Sequence, residues 1–197
     1  MSEERMSILS GTERSEVQSK DAVTTFEHPS TTCLGRSAQD ARTVATLILG
    51  LGNALRADDG VGPAVIDWLD QQVLPPGVEV IDGGTAGLDI VPTLMGHEQA
   101  FIVDAANVGR TPGEWVRFTP DVVRLKDNDA VLSLHSAGLA EALALGAALN
   151  VLPQTIIIYG VQPQNLDWSA ELSAEVQAAV AEVGQAILHE IKVIRDA

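Results

Sequence analysis

The 197-residue chain has a single cysteine, Cys33, which excludes an intrachain disulfide framework and a thiolate-rich zinc site. Aromatic residues make up only 4% of it, so the core must come from Ala, Val, Leu and Ile, and the 46% apolar content supplies them. Basic residues are scarce: 12 Lys and Arg stand against 27 Asp and Glu, a formal charge of −15. Partners that are themselves polyanions, nucleic acid and anionic membranes, are thereby disfavoured. No apolar run approaches the roughly 20 residues of a membrane span. The start, MSEERMSILS, has no basic stretch followed by an apolar one, so no secretory signal is read. The expectation is a cytoplasmic, soluble protein with one folded domain.

Residues 1–43 contain 13 Ser and Thr and no sustained apolar period. Such a segment buries too little to offset its ordering entropy, so it reads as a disordered N-terminal extension. The domain is placed at 44–197, which holds 7 basic and 20 acidic residues and so carries the acidity itself. There, short apolar runs alternate with helical periods. Strands are expected at Val44–Leu51, Val78–Ile81, Ala100–Ala105, Glu114–Thr119 and Thr155–Val161. Helices are expected at Val61–Val73, Leu88–Met95, Ser136–Leu149 and Ser173–Ile194. This alternation implies an α/β sheet covered by helices on both faces. Trp68, Trp115 and Trp168 read as core rather than contact residues.

In such a sheet, ligands bind at the loops leaving the carboxyl ends of the strands. Three polar features fall there: Asp58 and Asp59 within Gly50-Leu51-Gly52-Asn53 … Asp58-Asp59-Gly60-Val61-Gly62, Asp104 at the end of the third strand, and His135 before the Ala-rich helix. A dinucleotide-binding glycine loop fits badly. Its sixth position is Leu55 rather than Gly, and two aspartates would oppose a pyrophosphate. Asp59, Asp104 and His135 could instead form an oxygen/nitrogen site for nickel or zinc. Taken singly, each has an ordinary alternative: the aspartates as caps or turn formers, the histidine as a core or capping residue. The chain has no Gly-x-Ser-x-Gly turn and no His-Glu-x-x-His helix. Its one cysteine lies in the extension.

Six motifs, in order, make the domain resemble the hydrogenase maturation proteases. They are Gly50-Leu51-Gly52-Asn53 with Asp58-Asp59-Gly60-Val61-Gly62, Asp82-Gly83-Gly84-Thr85-Ala86-Gly87, Val103-Asp104-Ala105, Pro112-Gly113-Glu114, His135 with Gly138-Leu139, and Gly160-Val161-Gln162-Pro163. The resemblance implies a three-layer α/β/α sandwich around a mostly parallel five-stranded sheet. It implies an endopeptidase that removes the C-terminal extension of a nickel-iron hydrogenase large-subunit precursor. It implies nickel recognition by Asp59, Asp104 and His135, the same residues serving in catalysis, with the nickel carried by the substrate rather than permanently bound. It assigns substrate recognition to Asp82, Gly83, Gly84, Thr85 and Gly87, and makes Asp58 a neighbour that at most supports a ligand. A monomer is expected. The rival readings are a non-catalytic nickel-recognising chaperone of the large subunit, and a relative that hydrolyses a different protein.

Overall fold

The computed structural model describes residues 45–85, 87–123, 133–134 and 138–196. The extension 1–43 with Cys33, Ala86 of the glycine-rich segment, and His135 all lie outside the described residues.

The chain runs β1 (Thr46–Leu51), a 3-10 turn (Ala57–Gly60), α1 (Val61–Leu69), β2 (Val78–Gly84), α2 (Ile90–Leu94), β3 (Gln99–Asn107), β4 (Trp115–Phe118), α3 (Pro120–Val123), β5 (Ser133–Leu134), α4 (Leu139–Ala148), β6 (Thr155–Val161) and α5 (Ala174–Arg195). The sheet order is β2-β1-β3-β6-β4, with the two-residue β5 added to the far end of β3. β4 runs antiparallel to β6, and the other four main strands are parallel. The expected five-stranded, mostly parallel sheet is therefore present, with β5 as an addition.

The order explains the layers. Travel from β1 to β2 moves one way across the sheet, and travel from β2 to β3 moves the other way. Right-handed crossovers then put α1 and α2 on opposite faces. One core cluster joins Val61, Val65 and Leu69 of α1 to Val176, Val183, Ile187 and Ile191 of α5 through Ile48, Phe101 and Tyr159. The other joins Ile90 and Leu94 of α2 to Leu139 and Leu143 of α4 through Leu47, Leu49 and Ile102. β1 is buried along its whole length because both of its faces are covered.

Several boundaries moved for physical reasons. α1 stops at Leu69, not Val73, because Val73 is 98% exposed and Pro75 and Pro76 follow. β2 continues to Gly84, since Asp82 and Gly84 pair with Gly50 and Leu51 of β1. α2 is shorter than expected, with Leu88 and Met95 left half exposed. Pro92 sits in its first turn, where a missing N–H costs nothing. β3 extends to Asn107 because β5 pairs with Ala106 and Asn107. Asp104 therefore lies inside a strand rather than at its end.

Candidate active site

β1 and β3 are bonded up to the Gly50–Val103 pair. One residue further, β1 turns away while β3 continues beside β6, with Asp104 opposite Gly160. Asp104 is thus the first residue of β3 past its pairing with β1, at the point where the strand order reverses and such sheets open a crevice. Its side chain is fully buried.

Asp59 reaches the same region by a different route. After β1 the chain makes the 3-10 turn Ala57–Gly60, which packs against β3. Asp59 is 4% exposed, and its Oδ2 accepts the Asn53 N–H at 3.0 Å. Glycines make the approach possible. Gly52 has φ +124° and lies against the Asp59 carbonyl, where a Cβ would collide. Gly62, in the first turn of α1, lies against the backbone of Leu51 and Val103, so the helix start crosses directly beneath β1 and β3. A side chain at either position would push the acidic turn off the sheet edge.

Asp58 and Asp59 are neighbours in sequence with separate surroundings. The Asp58 carboxylate is fully buried and accepts four hydrogen bonds: from the N–H groups of Gln164 (2.8 Å), Asn165 (2.9 Å) and Ser173 (2.6 Å), and from the Ser173 hydroxyl (3.0 Å). It faces the β6–α5 connection, and this network was not visible in the sequence, because its partners lie 106 to 115 residues away. Among the described residues, the buried polar or charged side chains are Thr46, Asp58, Asp59 and Asp104. Three of the four are carboxylates at the carboxyl ends of the strands, and aspartate is almost never fully buried unless paired.

The glycine-rich segment borders this edge. Gly84 (φ +52°) ends β2 and donates its N–H to the exposed Asp82 Oδ1 at 2.9 Å, with open space around its Cα. Gly87 lies against Gly138, which precedes α4, so the loop after β2 meets the end of the segment that carries His135. Among the described residues, no three His, Cys, Asp or Glu side chains form a metal-binding group. The structure thus places Asp59 on a turn packed against β3 and Asp104 on β3 itself, and leaves His135 outside its description.

Trp168 is a correction. It is 77% exposed on the β6–α5 connection, with the Arg56 guanidinium 5.9 Å from its ring centroid. Arg56 also donates to the Leu166 carbonyl at 2.9 Å. Trp115 instead packs on Tyr159, and Trp68 closes over Gly184.

Residues 63–190 match the family model described as hydrogenase maturation protease. The chain belongs to the hydrogenase maturation protease family. The matched span includes Asp104 and begins four residues after Asp59. Among members of the family, the hydrogenase expression/formation protein HupD of Bradyrhizobium diazoefficiens is 33% identical over 147 residues, covering 74% of this chain and 75% of that one. The HupD of Thiocapsa roseopersicina is 36% identical over 122 residues, which cover 61% of this chain and 55% of the relative's length. The hydrogenase maturating endopeptidase HybD from Escherichia coli has the same fold, with a TM-score of 0.65 at 29% identity, over 75% of this chain and 91% of that one.

Proposed function

We propose that the protein is an endopeptidase that removes the C-terminal extension from the large-subunit precursor of a nickel-iron hydrogenase. The observation that carries this reading is a pair of buried carboxylates in a chain of this family, Asp104 on β3 just past its pairing with β1 and Asp59 on the 3-10 turn that follows β1 and packs against β3. In this reading the nickel belongs to the substrate. The oxygens of Asp59 and Asp104 and a ring nitrogen of His135 engage it, an oxygen/nitrogen set suited to a borderline divalent cation. Engagement places the scissile peptide at the crevice. Nickel held by these side chains would supply Lewis-acid polarisation at the crevice.

The chain's own contribution is positional and acid–base. A carboxylate takes a proton from water, whose oxygen adds to the peptide carbonyl carbon. The C–N bond then breaks, and the proton passes to the leaving amine. Asp82, Gly83, Gly84, Thr85 and Gly87 border the crevice and hold the precursor strand. The space where a Cβ would stand at Gly84 is open, which leaves room for another chain to approach. Without nickel the precursor lacks its central anchor, which gives the reaction its gating.

The test is intact-mass analysis of purified large-subunit precursor incubated with the full chain, with and without nickel loading. Loss of the C-terminal extension from the loaded form alone is the expected result. A stable complex with no mass change makes the protein a chaperone instead.

A further inference from the structure

The buried Asp58 has no part in the chemistry above, yet its carboxylate accepts four hydrogen bonds. We propose that Asp58 is a positioning residue: it locks the turn that carries Asp59 to the connection between β6 and α5, so that this connection sets where the Asp59 carboxylate stands. The proposal rests on the placement of Asp59 in the working site.

Three observations carry it. First, all four donors to Asp58 come from one connection, at Gln164, Asn165 and Ser173, and Ser173 is also the N-cap of α5. A carboxylate that accepts several N–H groups from fixed backbone is held in one orientation, because turning it breaks several charge-assisted bonds at once. Second, the backbone repeats the join. The Ala57 N–H donates to the Ser169 carbonyl at 2.7 Å, the Asp58 N–H to Asn165 at 3.1 Å, and the Ser169 N–H to Leu55 at 3.0 Å. The turn and the connection therefore move as one body. Third, Ala57 stands at φ +44°, a left-handed conformation costly for a residue with a Cβ. Such a conformation persists only where its surroundings over-determine it, and the bonds through Asp58 are those surroundings. Asp59 follows two residues later, and its Oδ2 is reported directly by the Asn53 N–H.

The experiment compares amide hydrogen exchange and precursor cleavage in the wild-type full chain and Asp58→Asn. An amide group at residue 58 presents an NH2 toward N–H donors and removes acceptors from the cluster. Exchange should rise at Gln164, Asn165 and Ser173 and, decisively, by about tenfold at Asn53, the equivalent of one charge-assisted hydrogen bond. Ile102 in β3 and Ile187 in α5 should keep their protection. In cleavage, kcat should fall by about tenfold or more while KM for the precursor stays within about twofold, because an Asp59 out of place weakens the transition state more than docking. Unchanged Asn53 exchange alongside faster exchange at 164, 165 and 173 overturns the proposal, since Asp58 would then hold the connection alone. If Asp58→Asn does not fold, Ser173→Ala removes one of the four donors and should raise Asn53 exchange by a smaller factor, about threefold. No change at Asn53 in that variant is equally fatal. Should the wild type cleave no precursor, the functional reading fails, and the exchange measurement still judges the positioning of Asp59.

Discussion

Two carboxylates in this molecule each accept several hydrogen bonds, and they are built in opposite ways. Asp58, at the carboxyl edge of the sheet, is fully buried and bonded by backbone N–H groups and one hydroxyl. Glu190, on α5, takes the Arg117 guanidinium through both of its oxygens and the Tyr159 hydroxyl at 2.6 Å. The Arg117 side chain is 46% exposed. Backbone donors cannot rotate away, so the first arrangement fixes a site. A guanidinium on a flexible stem can let go, so the second only ties β4 and β6 to α5, at a value near that of a surface ion pair. The Arg117 hydrogen bond, then that of Tyr159, holds Glu190 below the ordinary carboxylate range against the opposing effect of burial. Burial first, then Glu190, pushes the Tyr159 hydroxyl up.

The contrast can be broken at five positions, from the largest expected effect to the smallest. Asp104→Asn and Asp59→Asn should each lower precursor cleavage by about a thousandfold or more, equivalent to about 4 kcal/mol, with unchanged circular dichroism. Cleavage near the wild-type rate in either variant removes that residue from the site. Gly62→Ala should destabilise the fold by about 3 kcal/mol, because its Cβ meets the backbone of Leu51 and Val103, which has no room to give. Urea unfolding measures this, and a loss below about 1 kcal/mol would mean that α1 can slide along the sheet.

Glu190→Gln should cost about 1 kcal/mol near pH 7 and leave cleavage unchanged. Its pH dependence has a definite sign. A carboxylate whose folded pKa lies below 4.5 contributes fully above that value and loses the contribution as pH falls through the folded pKa. The gap between wild type and variant should therefore close as pH falls below 4.5, and a gap that widens there contradicts the assignment. Trp168→Ala should change stability by less than about 1 kcal/mol, the range of an exposed cation–π contact. A larger loss of thermal stability would show that the ring supports the connection that Asp58 grips.

Much of this was legible in the sequence. The alternation of apolar runs located every main strand, because a buried parallel sheet needs continuous apolar segments. The glycines around Asp58 and Asp59 have a visible reason, because a Cβ at Gly52 or Gly62 would collide with the backbone packed against it. Where periodicity was followed too far, as at Val73, an apolar residue stood with nothing to pack against. Trp168 misled for the same reason: size and hydrophobicity say nothing of position.

Composition and pattern alone determined the fold class and the main strands, since these follow from local periodicity and the burial of apolar surface. The resemblance set Asp59 apart from Asp58 by motif position, but only the tertiary structure supplied the physical difference between them. Two adjacent aspartates are chemically identical in sequence, and their roles diverge because the chain returns from β6 to offer Asp58 its donors, while the turn against β3 holds Asp59 beside the crevice. Partners more than 100 residues apart meet through the sheet order, which no local pattern encodes.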